Sequence, residues 1–131
     1  MLGSALCDLY IDDHTIYALH RDKECLTSCS DAFSLDLLDT NRLIKVIDKL
    51  EPKLLIHCAS LTDIELCESD YTLANMTNAK ITENIAKLCG DKIKLIYIST
   101  DQVYGKMNDK VESLEGLKPI NNYGKTKLLG E

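Results

Sequence analysis

Tyr123-Gly124-Lys125-Thr126-Lys127 sets a phenol and an ammonium four residues apart near the end of a 131-residue chain. On a helix, positions i and i+4 share a face, so both groups can point at one site. A free tyrosine titrates near ~10, too high to exchange a proton readily at neutral pH. A cation held nearby favours the phenolate and makes the phenol a better acid and base. Alone, the pair is more often an ordinary helix surface. Upstream, however, Ser99-Thr100-Asp101 follows an apolar run. A hydroxyl at the carboxyl end of a strand can donate to a substrate carbonyl and stabilise charge developing on its oxygen. The plain alternative for Ser-Thr-Asp is a capped turn leaving a strand. What carries weight is the joint order: apolar strand, Ser-Thr-Asp, polar loop, Pro119, then Tyr-x-x-x-Lys.

The elements that must position these groups alternate. Thr15–His20, Leu54–Ala59 and Lys94–Ser99 are short runs of strand character, the last two apolar enough for burial on both faces of a parallel sheet. Between them, Asp39-Thr40 offers an N-cap to Leu43, Ile44, Ile47 and Leu50 at helical spacing, with Pro52 as the stop. Ala74, Asn78, Ile81, Ile85 and Leu88 form the next helical face, ending at Gly90. A polar loop covers 101–118, and Pro119 opens a last helix running to the end of the chain. This order predicts an α/β fold with parallel strands, right-handed crossovers and helices on both faces. Ligands of such sheets bind beyond the carboxyl ends of the strands. Arg21, Ala59-Ser60 and Ser99-Thr100-Asp101 stand there.

Composition limits the partners. Hydrophobic residues make up 45% and charged residues 27%, and the net charge is -6. That balance fits one globular domain over 1–131 and argues against nucleic acid, which requires a basic face. No apolar run approaches the roughly 18–20 residues that span a bilayer. The first residues make a poor signal peptide, so cytoplasm is the expected location. Six cysteines (Cys7, Cys25, Cys29, Cys58, Cys67, Cys89) lack the spacing of a tetrahedral metal site and read as reduced and structural.

The runs Ile98–Gly105 (ISTDQVYG) and Pro119–Glu131 (PINNYGKTKLLGE) resemble the extended short-chain dehydrogenase/reductases, and within them the dTDP-4-dehydrorhamnose reductase branch. Leu54–Ser60, Thr62-Asp63, the acidic stretch from Glu65 to Asp70 and Asn78-Ala79 resemble the same branch. The resemblance implies a Rossmann-like, doubly wound parallel sheet that binds NAD(P), and a nucleotide-linked 4-keto-6-deoxysugar as substrate. It implies that Tyr123 protonates the keto oxygen as hydride reaches carbon, that Lys127 holds the nicotinamide ribose and tunes Tyr123, and that Thr100 donates to the same carbonyl. Asp36 and Leu37 would face adenine, and Ala59 and Ser60 would line the path of pyrophosphate or ribose. Asn78 is either a brace for the strand ends or a buried asparagine satisfied by backbone. Arg21, where the ribose 2'-position is read, favours NADP over NAD, although Asp22 follows it.

The same family opens its nucleotide domain with a strand and a glycine-rich turn whose amides meet the pyrophosphate. Gly3 takes the place of the last glycine of that turn and is assigned to the cofactor. The resemblance leads us to expect a partial domain, lacking the first, central strand and the C-terminal substrate lobe. Two sheet edges would then be unpaired and open to self-association. Three rivals fit the same motifs. One is the non-catalytic, cofactor-binding regulatory subunit of methionine adenosyltransferase. The others are a sugar-nucleotide epimerase or dehydratase, and a non-functional remnant.

Overall fold

The structure is a computed structural model that describes residues 2–21, 28–105 and 117–131. Cys25, Asp22 and most of the expected polar loop lie outside the described residues. The chain divides into two compact units, Met1–Pro52 and Lys53–Glu131.

The first unit holds α1 (Leu2–Tyr10), β1 (Tyr17–His20), β2 (Asp31–Ser34) and α2 (Thr40–Leu50). β1 and β2 pair in parallel, Tyr17 opposite Asp31 and His20 opposite Ser34. The sequence reading lacked a strand at 31–34. Asp-Ala-Phe-Ser is poor in β-branched residues, and its pairing with β1, not its composition, makes it a strand. Asp39 caps α2 through its carboxylate, which accepts from the Arg42 amide at 3.1 Å. Glu51 closes that helix in the left-handed region (φ 44°), and Pro52 follows. Leu43 and Ile47 turn inward and are buried with Leu35, whereas α1 buries no residue.

The second unit begins with β3 (Leu54–His57), followed by α3 (Ile64–Ser69) and α4 (Tyr71–Ala74). A wider π-helical stretch, Asn75–Lys80, leads into α5 (Ile81–Cys89), and β4 (Lys94–Tyr97), a 3-10 turn (Asp101–Tyr104) and α6 (Asn122–Leu128) complete it. Asp63 caps α3 and Asp70 caps α4. The single helix expected from Ala74 to Gly90 is thus widened at Asn75–Lys80 before it continues as α5. Cys89 takes the last core position expected for Leu88, four residues after Ile85. Gly90 caps the helix at φ 48°, as its sequence position indicates.

β3 and β4 pair in parallel, Leu54 opposite Lys94 and His57 opposite Tyr97. Alternation along both strands sends His57 and Tyr97 to the same side. Tyr97 there meets the residues of α6 and of the π-helical stretch. On the opposite face Leu54, Ile56 and Ile96 stay more than a third exposed. The last helix starts three residues later than expected from Pro119. Asn121 is extended, and its side chain accepts from the Gly124 amide at 2.7 Å as the true cap. Among the described residues, no helix is long and apolar enough to cross a membrane.

Candidate functional site

Past β4 the ladder runs one step further, with the Ile98 amide donating to the His57 carbonyl at 3.2 Å. Thr100 is extended and caps the following 3-10 turn, its hydroxyl oxygen accepting from the Gln102 amide at 3.3 Å. Buried Val103 anchors that turn. α6 is fastened to it at close range: Asn121 Nδ2 donates to Gln102 Oε1 at 2.6 Å. A Cβ on Gly124 would stand 2.7 Å from the Gln102 carbonyl oxygen and 3.0 Å from Pro119 Cβ. Glycine beside Tyr123 therefore lets the first turn of α6 press against the segment that follows Thr100.

Tyr123 is half-buried in that first turn. One turn on, Lys127 is 2% exposed and donates from Nζ to the Ile98 carbonyl at 2.6 Å. Among the described residues, the ion pairs join Glu83 to Lys80 and Lys87, and none reaches Lys127. Burial pulls its ammonium down to about 8, opposed by the negative charge of Glu131 and the Cys58 thiol. Beneath it His57 stacks on Tyr97, ring centroids 5.7 Å apart. Burial, reinforced by Lys127, lowers His57 to about 4 and keeps it neutral. Its buried Nε2 has no hydrogen-bond partner among the described residues.

Asn78 ties the site together from the π-helical stretch. Its Oδ1 accepts from Ser60 Oγ at 2.9 Å and the Leu61 amide at 2.7 Å. Its Nδ2 donates to the Leu61 carbonyl at 3.0 Å and to Thr126 Oγ1 at 3.1 Å. Both readings of this residue meet in one side chain: it is satisfied by backbone, and it braces the loop after β3 against α6. Ser60 is held by that brace, while Ala59 is exposed.

The remaining sequence candidates lie in the first unit. Arg21 is exposed just past β1, and its carbonyl accepts from Ser34 Oγ at 3.5 Å. Asp36 folds back to accept from the Leu38 amide at 2.9 Å, and Leu37 is half-buried. Gly3 lies in the first turn of α1. So Thr100, Tyr123, Lys127, Ala59 and Ser60 belong to one unit, and Gly3, Arg21, Asp36 and Leu37 to the other. Sequence reasoning passed over His57, Tyr97, Gly124 and Asn121. The signal for the first two was present in the strands, where His57 and Tyr97 each close an apolar run and face α6.

A family described as the RmlD substrate binding domain matches residues 1–131. The probable low-salt glycan biosynthesis reductase of Haloferax volcanii is 31% identical over 134 residues, covering all of this chain and 44% of that protein. Methionine adenosyltransferase 2 subunit beta of Xenopus laevis is 37% identical over 98 residues, 74% of this chain and 29% of that protein. Among solved structures, a hypothetical dTDP-4-dehydrorhamnose reductase from Sulfolobus tokodaii superimposes with a TM-score of 0.85 at 32% identity. It covers 98% of this chain and 46% of its own. The chain thus spans less than half the length of these relatives. The fold is that of the Rossmann-like NAD(P)-binding domain in such proteins.

Proposed function

The chain belongs to the RmlD substrate binding domain family, and from that premise we propose that it is the nucleotide-binding part of an NAD(P)-dependent reductase of a nucleotide-linked 4-keto-6-deoxysugar. The observation that carries this reading is the fastening of α6 to the end of β4. Lys127 bonds the Ile98 carbonyl, Gly124 abuts the Gln102 carbonyl, and Thr100 lies between those two carbonyls in sequence.

The residues present suit a nicotinamide ribose. Lys127 is an ammonium donor without a carboxylate partner among the described residues, backed by a neutral imidazole whose buried Nε2 is an orphan. When bound, a reduced nicotinamide supplies hydride. The chain's own part is the proton and the charge. The Tyr123 phenol gives its proton to the keto oxygen, and the Lys127 ammonium favours the phenolate left behind. The Thr100 hydroxyl donates to the same oxygen. Lys127 would leave the Ile98 carbonyl, or share it, to reach the ribose. Asp36 and Leu37 would take adenine, Gly3, Ala59 and Ser60 the pyrophosphate and ribose, and Arg21 a 2'-phosphate, favouring NADP over NAD.

The test is oxidation of reduced nicotinamide by the purified protein with dTDP-4-keto-6-deoxysugar, followed by absorbance. Tyr123→Phe should lower turnover by about two to four orders of magnitude, the usual range for a general acid. Cofactor affinity should hold. Undiminished turnover in Tyr123→Phe would remove the phenol from the mechanism. Likeness to methionine adenosyltransferase 2 subunit beta supports a second reading, a cofactor-binding subunit without turnover. In that case cofactor binds, no keto-sugar is reduced, and the protein associates with a catalytic subunit.

A further inference from the structure

We infer that Tyr97 is a positioning residue whose ring face holds the Lys127 ammonium at the carboxyl end of β4. The inference rests on the reading of Lys127 as the lysine that tunes Tyr123, and adds the group that keeps this lysine charged.

Lys127 Nζ lies 4.1 Å from the centroid of the Tyr97 ring, well inside the range of a cation–π contact. The ammonium is buried and donates to the Ile98 carbonyl, with no carboxylate in ion-pair contact among the described residues. A buried cation with so little compensation loses its proton readily, because burial penalises the charged form. The ring quadrupole adds a face of negative potential to the more distant charge of Glu131. Such a contact strengthens as water is excluded.

The ring is itself fixed on three sides. His57, its register partner on β3, stacks against it with a 27° interplanar angle. Its hydroxyl lies 3.4 Å from the carbonyls of both Asn78 and Lys127. A Cβ on Gly130 would meet that hydroxyl at 2.8 Å, so the chain just past α6 carries a residue that makes room for it. The titratable groups around the pair are few. His57 and the Cys58 thiol act on Lys127 from β3 and its end, Glu131 acts on both Lys127 and Tyr97 from beyond α6, and Tyr123 acts on Tyr97 from α6. Neutral His57 adds no competing positive charge at neutral pH.

Size and charge effects separate if the ring keeps its shape. In protein carrying Tyr97→Phe, phenylalanine at 97 is replaced by ring-fluorinated phenylalanines of rising fluorine content, which weaken the quadrupole with little change in volume. The Lys127 ammonium is titrated directly through the 13Cε resonance of labelled lysine, assigned as the peak lost in Lys127→Arg. The midpoint should fall stepwise with fluorination, by about one pH unit for the fully fluorinated ring, the yield of a desolvated cation–π contact. Tyr97→Phe alone should leave it nearly in place. An unchanged midpoint across the series, in protein with native circular dichroism, would overturn the inference and leave Tyr97 as packing. The titration requires no turnover. If Lys127→Met kept full turnover the catalytic reading would fail, while the midpoints would still decide the role of Tyr97.

Discussion

The two units are built from the same parts, a parallel strand pair with helices, but their interiors differ in kind. In Met1–Pro52 the described buried side chains are Leu35, Leu43 and Ile47, all aliphatic. In Lys53–Glu131 the interior mixes Cys67, Ala74, Ala79, Ile81, Ile85, Cys89 and Val103 with His57, Asn78, Thr82, Thr126 and Lys127. Apolar burial stabilises without direction, whereas each buried polar group requires a partner at a set distance and angle. The second unit therefore fixes geometry as well as stability, and three of its polar residues adjoin Lys127 or α6. The first unit holds its polar candidates, Arg21 and Asp36, exposed beyond the strand ends, Asp36 accepting from the Leu38 amide in a local turn.

The widest gap should open between Asn78→Ala and Leu43→Ala. Leu43→Ala empties one aliphatic site and should cost about 3 kcal/mol in denaturant unfolding. Asn78→Ala strips partners from Ser60, Leu61 and Thr126 and opens a cavity. Buried groups left unpaired cost about 1–3 kcal/mol each, so the loss should reach about 4 kcal/mol or more. Equal losses would mean that water replaces Asn78, and that the second unit is no more dependent on its polar interior than the first is on its aliphatic one.

Acid should also separate the two interiors. His57 accepts a proton near 6.5 when unfolded and near 4 when folded, because burial and then Lys127 oppose its charge. Between those values the unfolded chain binds more protons, so stability is full above 6.5 and declines as pH falls towards 4. The decline amounts to about 3 kcal/mol, at ~1.4 kcal/mol per pH unit of difference. In His57→Phe this part of the slope should vanish, leaving the carboxylates to act at lower pH. A slope that persists unchanged would place the titrating group elsewhere.

How far the sequence reveals these features depends on whether the cause is local. Asp39 as a cap, Gly90 as a stop, and the cores of the strands at Tyr17–His20, Leu54–His57 and Lys94–Tyr97 follow from neighbours in the chain. So does the sharing of a helix face by Tyr123 and Lys127. β2 does not, because Asp31–Ser34 becomes a strand through pairing with β1. Pro119 reads as the start of α6 because proline favours a first helical turn, yet Asn121 wins by supplying a side-chain acceptor and by its bond to Gln102. Gly124 reads as an incidental residue inside Tyr-x-x-x-Lys until the Gln102 carbonyl is seen beside it. Nor does spacing show that Lys127 turns onto a strand-end carbonyl and an aromatic ring, since both belong to β4 and its extension.

The smallest expected effect on stability is the most telling, and it belongs to Lys127→Met. In an aliphatic interior like that of the first unit, changing a residue buried to 2% exposure would normally be costly. Here the native side chain carries a cost of its own. Burial lowers the ammonium from 10.5 to about 8, a penalty on the order of 2 kcal/mol once partial solvent screening is allowed for. Methionine keeps nearly the same length and removes that penalty. Against it stand the lost bond to the Ile98 carbonyl and the lost contact with the Tyr97 ring. A bond to a charged group contributes about 1.5–3 kcal/mol, so the terms nearly cancel. Denaturant unfolding at pH 7 should move by less than about 1 kcal/mol, as is common when a buried charge gives way to an apolar residue of similar volume. Turnover of the keto-sugar should meanwhile fall by about two orders of magnitude or more, with Tyr123 deprived of its cation. A large loss of stability in Lys127→Met would instead show that the ammonium is a structural tie of the same rank as Asn78, and the contrast between a fold-bearing asparagine and a function-bearing lysine would dissolve.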